Sequence, residues 1–183
     1  MSVRGVRSWL GDRLADLRRR RELRRLSLAL RAHRGADPTG SGPHRVVADK
    51  NGRPVLLLAD SDPAFVVVRA VGRRGAGPEC VLLATIEDGI ATIRTIQSRG
   101  EDSVGRGVGT AVLRFAEDLL GAAGVTRVTG RLSPGDIEHR NRQVHFYRKN
   151  GYSVTLDGLE GTIAKDLGPR RGRRPGPAEP GSA

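Results

Sequence analysis

Apolar residues in the middle of this chain recur in two rhythms. Between His44 and Gln97 they form short runs rich in Val, Ile, Leu and Thr: HRVVA, PVLLLA, AFVVVRA, ECVLLATI and IATIRTIQ. Such runs suit pleated, half-buried strands. Asn51-Gly52 and Glu87-Asp88-Gly89 are tight-turn signals, Ser61-Asp62-Pro63 is a breaker, and GRRGAGP separates the third run from the fourth. Strands joined in this way predict an antiparallel meander.

From Val108 the period lengthens. Val108, Val112, Phe115 and Leu119, with Ala111 and Leu120 beside them, predict one apolar helix stripe, and Gly121 and Gly124 are expected to end it. VTRVTGRL reads as a strand and Ser133-Pro134-Gly135-Asp136 as a turn. Glu138 to Asn150 reads as a second helix closed by Gly151, and YSVTL and GTIAKDL as a final strand pair around Asp157-Gly158. Strand–helix–strand order implies a parallel pairing inside an otherwise antiparallel sheet. The predicted class is therefore α/β (α+β), with a mixed, mostly antiparallel sheet flanked by helices.

Composition divides the chain further. Residues 1–34 predict an arginine-rich helix, with Leu10, Leu14 and Leu17 at helical spacing and Leu23, Leu26 and Leu30 on a shifted face. Residues 35–43 (GADPTGSGP) read as a linker, 44–167 as the domain, and 168–183 as a disordered basic tail. The net charge of +12 sits at the ends: eleven arginines against three acids in residues 1–34, and four against one in 168–183. A near-neutral middle argues against a domain built to bind nucleic acid. The run Arg18–Arg25 (RRRRELRR) keeps open a different function, a nucleic-acid or ribosome-associated module whose clustered arginines meet phosphates. Weak nucleic-acid contact through this segment is a partner expectation; a solvated helix face is the plainer one.

Cys80 is the single cysteine, which excludes an intrachain disulfide and a cysteine-based zinc site. His139 and His145 have no partner at ligand spacing, so no metal is expected. No apolar run approaches a bilayer span and no signal peptide is visible, which makes the cytoplasm the expected location.

The chemistry concentrates in VGRGVGTAVLRFAEDLL, where Gly105, Gly107 and Gly109 precede the first central helix. A P-loop needs Gly-Lys-[Ser/Thr], and no lysine occurs between Lys50 and Lys149. A dinucleotide fingerprint needs a later third glycine and an earlier place in the chain. Two readings stand: a plain strand-to-helix connection, or successive backbone N–H groups forming an anion nest at a helix start, with Arg106 or Thr110 adding a donor.

About thirty residues on comes NRQVHFYRKNGY, Asn141 to Tyr152. Taken with the strand order, the chain resembles the GNAT acyl-CoA N-acyltransferase superfamily over residues 44–166. That family's signature is Arg/Gln-x-x-Gly-x-Gly/Ala at a strand-to-helix turn, then Asn-x-x-Ala-x-x-hydrophobic-Tyr-x-x-x-Gly-Phe. Gly107 and Gly109 match the first part. Asn141, Phe146, Tyr147, Gly151 and Tyr152 match the second, with Val144 where alanine is usual. Val104 stands where the first part has Arg or Gln, and Arg106 is a candidate to compensate.

The resemblance implies a transfer of an acyl group, acetyl from acetyl-CoA as co-substrate, to a primary amine by direct attack. It implies that the CoA pyrophosphate sits on Gly105, Arg106, Gly107, Val108, Gly109 and Thr110, and that backbone at Ile96 and Gln97 holds the pantetheine arm. It further implies that the strands IATIRTIQ and VTRVTGRL splay apart at a bulge, that Asn141 contacts the CoA arm, and that Tyr147 is the general acid. No residue is assigned as base. The amine acceptor is unidentified, and a homodimer is left open.

Overall fold

The computed structural model describes residues 24, 26–31, 42–72, 78–99, 105–132, 137–158 and 160–168. Most of the arginine-rich segment and the linker, together with Val104, the Ser133–Asp136 turn and the tail after residue 168, lie outside the described residues.

Five strands, β1 (His44–Ala48), β2 (Pro54–Ser61), β3 (Phe65–Val71), β4 (Cys80–Glu87) and β5 (Ile90–Ser98), form the predicted antiparallel meander. Their turns follow from local chemistry. Asp49 Oδ1 accepts the N–H groups of Asn51 and Arg53, both at 2.9 Å, and Gly52 takes φ +71° to close the first hairpin. Asp62 caps the β2–β3 turn by accepting from the N–H groups of Ala64 and Phe65. At the β4–β5 turn Asp88 and Gly89 both have positive φ, which matches the right-handed twist of the flanking strands.

Helix α1 (Val108–Ala122), β6 (Arg127–Leu132), α2 (Ile137–Lys149), β7 (Ser153–Asp157) and β8 (Glu160–Asp166) complete the fold. One sheet results, in the order β1-β2-β3-β4-β5-β6-β8-β7, and β5–β6 is its parallel pair. The mixed, mostly antiparallel sheet with flanking helices is the predicted class.

Both helices pack on one face of the sheet, where Val55, Leu57, Val68, Leu82 and Val128 meet Val112, Phe115, Leu120, Val144 and Tyr147. On the other face Leu26, within a helical stretch at 26–31, packs on Leu56 and Leu58. The run PVLLLA is therefore apolar at consecutive positions because β2 is covered on both sides.

The buried stripe of α1 differs from the one predicted. Leu113 and Ala116 are fully buried, whereas Leu119 and Ala111 are only half-buried. The helix packs across β2, β3, β4 and β5, so its covered arc is broader than four positions at spacings of three and four. It also runs through Gly121 to Ala122, and Gly124, at φ +85°, is the glycine that ends it.

Candidate functional site

The parallel pairing of β5 with β6 is short. Ile90 to Ile93 pair with Arg127 to Gly130, and beyond this point the two strands separate. The cause lies on the other edge of β5: Ala84 pairs with Ile93 and Leu83 with Thr95, so Arg94 is an extra residue, a β-bulge. A bulge bends its strand and increases local twist, and here it swings Thr95–Ser98 away from β6. Those residues stay paired with β4 while their other edge opens onto a cleft. Gly130, the last residue of β6 to pair with β5, allows the close approach at the fork: a Cβ there would meet Ile163 at 3.1 Å and the carbonyl oxygen of Ile93 at 3.2 Å.

The cleft measures about 710 Å³ and runs from the fork to the start of α1. β5 contributes its edge from Ile93 to Ser98, β6 contributes Arg131 and Leu132, and α1 contributes Gly109. From α2 come His139, Arg142, Gln143, Phe146 and Tyr147, spaced as one helical face. Ile96 and Gln97 line the opened edge of β5, where the family resemblance put the pantetheine arm.

At one end stands the glycine turn. Gly105 (φ +80°) and Gly107 (φ +85°) take left-handed backbone with Arg106 between them, an alternation that turns successive N–H groups toward one concave side. Gly107 is the N-cap of α1 and offers no side-chain oxygen, so the first-turn N–H groups of Val108, Gly109 and Thr110 have no side-chain cap. Around Gly105 a Cβ would meet nothing within 4 Å. Val108 spends its side chain in the core, leaving only its backbone for a ligand. Backbone donors, a helix dipole and open space together suit a phosphate group.

Arg106 departs from expectation. Its Nε donates to Asp49 Oδ2 at 2.8 Å and its Nη1 to Glu79 Oε2 at 3.0 Å, with the guanidinium 14 % exposed. The side chain put forward as a phosphate donor is thus bound to two carboxylates, and it points into the protein. Lys50 N–H also donates to the Arg106 carbonyl at 2.9 Å, so the β1–β2 hairpin clasps the glycine turn. Burial alone would raise the Asp49 carboxyl, but the N–H groups of Arg53 and Asn51 and the Arg106 guanidinium hold it below the usual carboxylate range. Asp49 and Glu79 were not singled out from sequence; nothing local to either residue marks it.

Tyr147 lies at the wall of the cleft, 5 % exposed. Its ring is held edge-to-face by Phe146 at 5.1 Å and Tyr152 at 5.4 Å between centroids. The end of α2 explains this: Tyr152 N–H bonds the Tyr147 carbonyl and Gly151 N–H that of Arg148, with Gly151 at φ +84°. That is a Schellman closure, which brings the residue after the glycine back onto the last turn. Burial pushes the Tyr147 phenol up to about 12.

Asn141 is exposed and does not line the cleft. In the family motif the asparagine precedes the tyrosine by seven residues, nearly two whole turns at about 100° per residue. Asn141 precedes Tyr147 by six, which rotates it to another face of α2. The position seven before Tyr147 is Arg140, whose Nη1 donates to the Gly158 carbonyl at 2.7 Å. Gln143, not Val144, takes the cleft-facing place four residues before Tyr147, while Val144 is buried in the core.

Two solved structures share this architecture. The GNAT domain of S. lividans PAT aligns with 67 % of this chain and 96 % of its own, at TM-score 0.56 and 12 % identity. A cAMP-binding acyltransferase from Mycobacterium smegmatis aligns with 79 % of this chain and 54 % of its own, at TM-score 0.57 and 12 % identity. The chain has the GNAT N-acyltransferase fold. Within that GNAT fold the bulged β5, the glycine turn before α1, and then β6 as the parallel neighbour of β5 follow one another as the sequence resemblance implied. No family model matches the chain, and no curated protein matches its sequence.

Among the described residues no helix is long and apolar enough to cross a membrane, and no group of three or more His, Cys, Asp or Glu could hold a metal ion.

Proposed function

We propose that this protein is an acyl-CoA-dependent N-acyltransferase that moves an acyl group, acetyl as the working case, from its CoA thioester to a primary amine. The observation that carries this reading is the continuity of one cleft from the β5–β6 fork to the uncapped helix start. A pyrophosphate suits one end, an extended arm suits the strand edge, and a buried phenol lines the wall.

Each part of the site has a physical task. The N–H groups of residues 105–110 receive the pyrophosphate, with the α1 dipole favouring its charge. Thr95–Ser98 offer unpaired backbone to the pantetheine amides as a neighbouring strand would, and a β5 N–H is placed to take the developing oxyanion. The amine nitrogen attacks the thioester carbon, the C–S bond breaks, and Tyr147 gives its proton to the thiolate. The proton shed by the new amide nitrogen returns through water to the phenolate. A phenol pushed up to about 12 stays protonated at neutral pH, which a general acid requires. No carboxylate lines the cleft among the described residues, and His139 is the imidazole that does.

Calorimetry with acetyl-CoA on the full chain tests the reading. Micromolar to millimolar binding that Gly107→Asp abolishes supports it, because the carboxylate would stand in the nest. No binding at millimolar acetyl-CoA overturns it.

A further inference from the structure

The cleft is unevenly charged. Arg94, Arg131 and Arg142 all line it, with His139, and no Asp or Glu does among the described residues. Arg131 is paired with Glu160 at 2.9 Å and Arg142 with Glu138 at 3.3 Å, both on exposed surface where such pairs contribute little and exchange readily. Arg94 makes no ion pair among the described residues, and its side chain is exposed.

Arg94 is also the bulge residue, so it stands at the point where β5 and β6 part. The glycine turn lies beyond the other end of the opened edge. Ser98 lies four positions along the strand from Arg94, about 13 Å at about 3.3 Å per residue. An anion seated on the helix start is therefore served by the glycine turn, and Arg94 is left facing whatever enters at the fork.

From this placement we infer that the acceptor is an amine that carries its own anionic group, a carboxylate or a phosphate, and that Arg94 recognises that group at the β5–β6 fork. The inference rests on the acyltransferase reading and narrows its acceptor. An arginine presents parallel N–H donors that match a carboxylate or phosphate oxygen pair. Polyamines and other polycationic amines would meet like charge there and find no carboxylate among the described lining residues. The same positive field disfavours the ammonium form of a bound amine, helping to supply the neutral nucleophile that the reaction needs.

Paired acceptors on the full chain test it, with acetyl-CoA as donor. Alanine against alaninamide isolates a carboxylate, O-phosphoethanolamine against ethanolamine isolates a phosphate, and spermidine represents the polycations. The expected result is a preference of about tenfold or more in kcat/KM for the anionic member of at least one pair. Arg94→Ala should collapse that preference with acetyl-CoA affinity unchanged, and Arg94→Lys should restore part of it. Equal use of both members, a preference untouched by Arg94→Ala, spermidine as the best acceptor, or loss of acetyl-CoA affinity in Arg94→Ala would each overturn the inference. If no amine is acetylated, calorimetry of alanine and O-phosphoethanolamine separates the two ideas. Binding lost in Arg94→Ala keeps the anion site while the acyltransferase reading falls, and no binding at millimolar ligand removes the site as well.

Discussion

Arg106 and Asp49, separated by 57 residues in the chain, meet in an ion pair with Nη2 2.7 Å from Oδ2, and the Asp49 side chain is fully buried. Glu79 holds the other side of the guanidinium. This network fixes the central residue of the glycine turn to the first hairpin and to the start of β4. The backbone N–H groups around Arg106 are thereby set before any ligand arrives, which lowers the ordering cost of binding.

Removing the charge from Asp49 should be costly. Asp49→Asn leaves Arg106 partly unpaired in a buried place, and a loss of about 3 kcal/mol in unfolding free energy at pH 7 is expected by urea titration. Because the folded-state carboxyl is held below its ordinary value, its contribution is present above about pH 4 and fades as pH falls through the lowered value. The gap between wild type and Asp49→Asn should therefore narrow in acid. A gap that stays constant to pH 2 would remove the ion pair as its cause.

Gly72 supports the same network. A Cβ on it would lie 2.8 Å from the Glu79 carboxyl, too close for any real contact. Gly72→Ala is expected to destabilise the protein by about 1–3 kcal/mol by pushing Glu79 off Arg106. In a Glu79→Ala background the same change should cost little. A full cost in both backgrounds would mean that backbone conformation, not the carboxylate, demands glycine.

Tyr147→Phe should lower kcat by about tenfold to a hundredfold while leaving the acetyl-CoA dissociation constant in place. With its phenol raised to about 12 by burial, Tyr147 should add no falling limb to the rate profile of the wild type below about pH 10. The sign for stability is parallel: burial favours the protonated phenol, so its contribution is full below about pH 10 and lost as pH rises through about 12. Unchanged kcat in Tyr147→Phe would exclude it as the acid.

Asn141→Ala is expected to weaken acetyl-CoA binding less than Gln143→Ala does, since Gln143 lines the cleft and Asn141 is exposed on another face of α2. Calorimetry on the two variants decides this directly, and the reverse order would restore the role that the motif gave to Asn141.

Much of the fold could be read locally. The meander followed from apolar runs separated by Asn-Gly, Asp-Pro and Asp-Gly, because those turns are set by residues within four positions of one another. The glycine turn was legible for the same reason: positive φ at Gly105 and Gly107 is a property of those residues. Helix phase was harder, since one residue of displacement moves a side chain by about 100°, and Asn141, six rather than seven residues before Tyr147, stands on another face of α2 from the cleft.

By itself, then, the sequence determined the order and type of the elements, the sharp turns, and the backbone freedom at the start of α1, all of which arise from short-range sterics and hydrogen bonding. Tertiary structure alone decided that Arg106 is held by Asp49 and Glu79, that Arg94 is the bulge at the strand fork, and which face of α2 meets the cleft. Those depend on strand register and on charges brought together from distant parts of the chain. No local window of the sequence contains both partners.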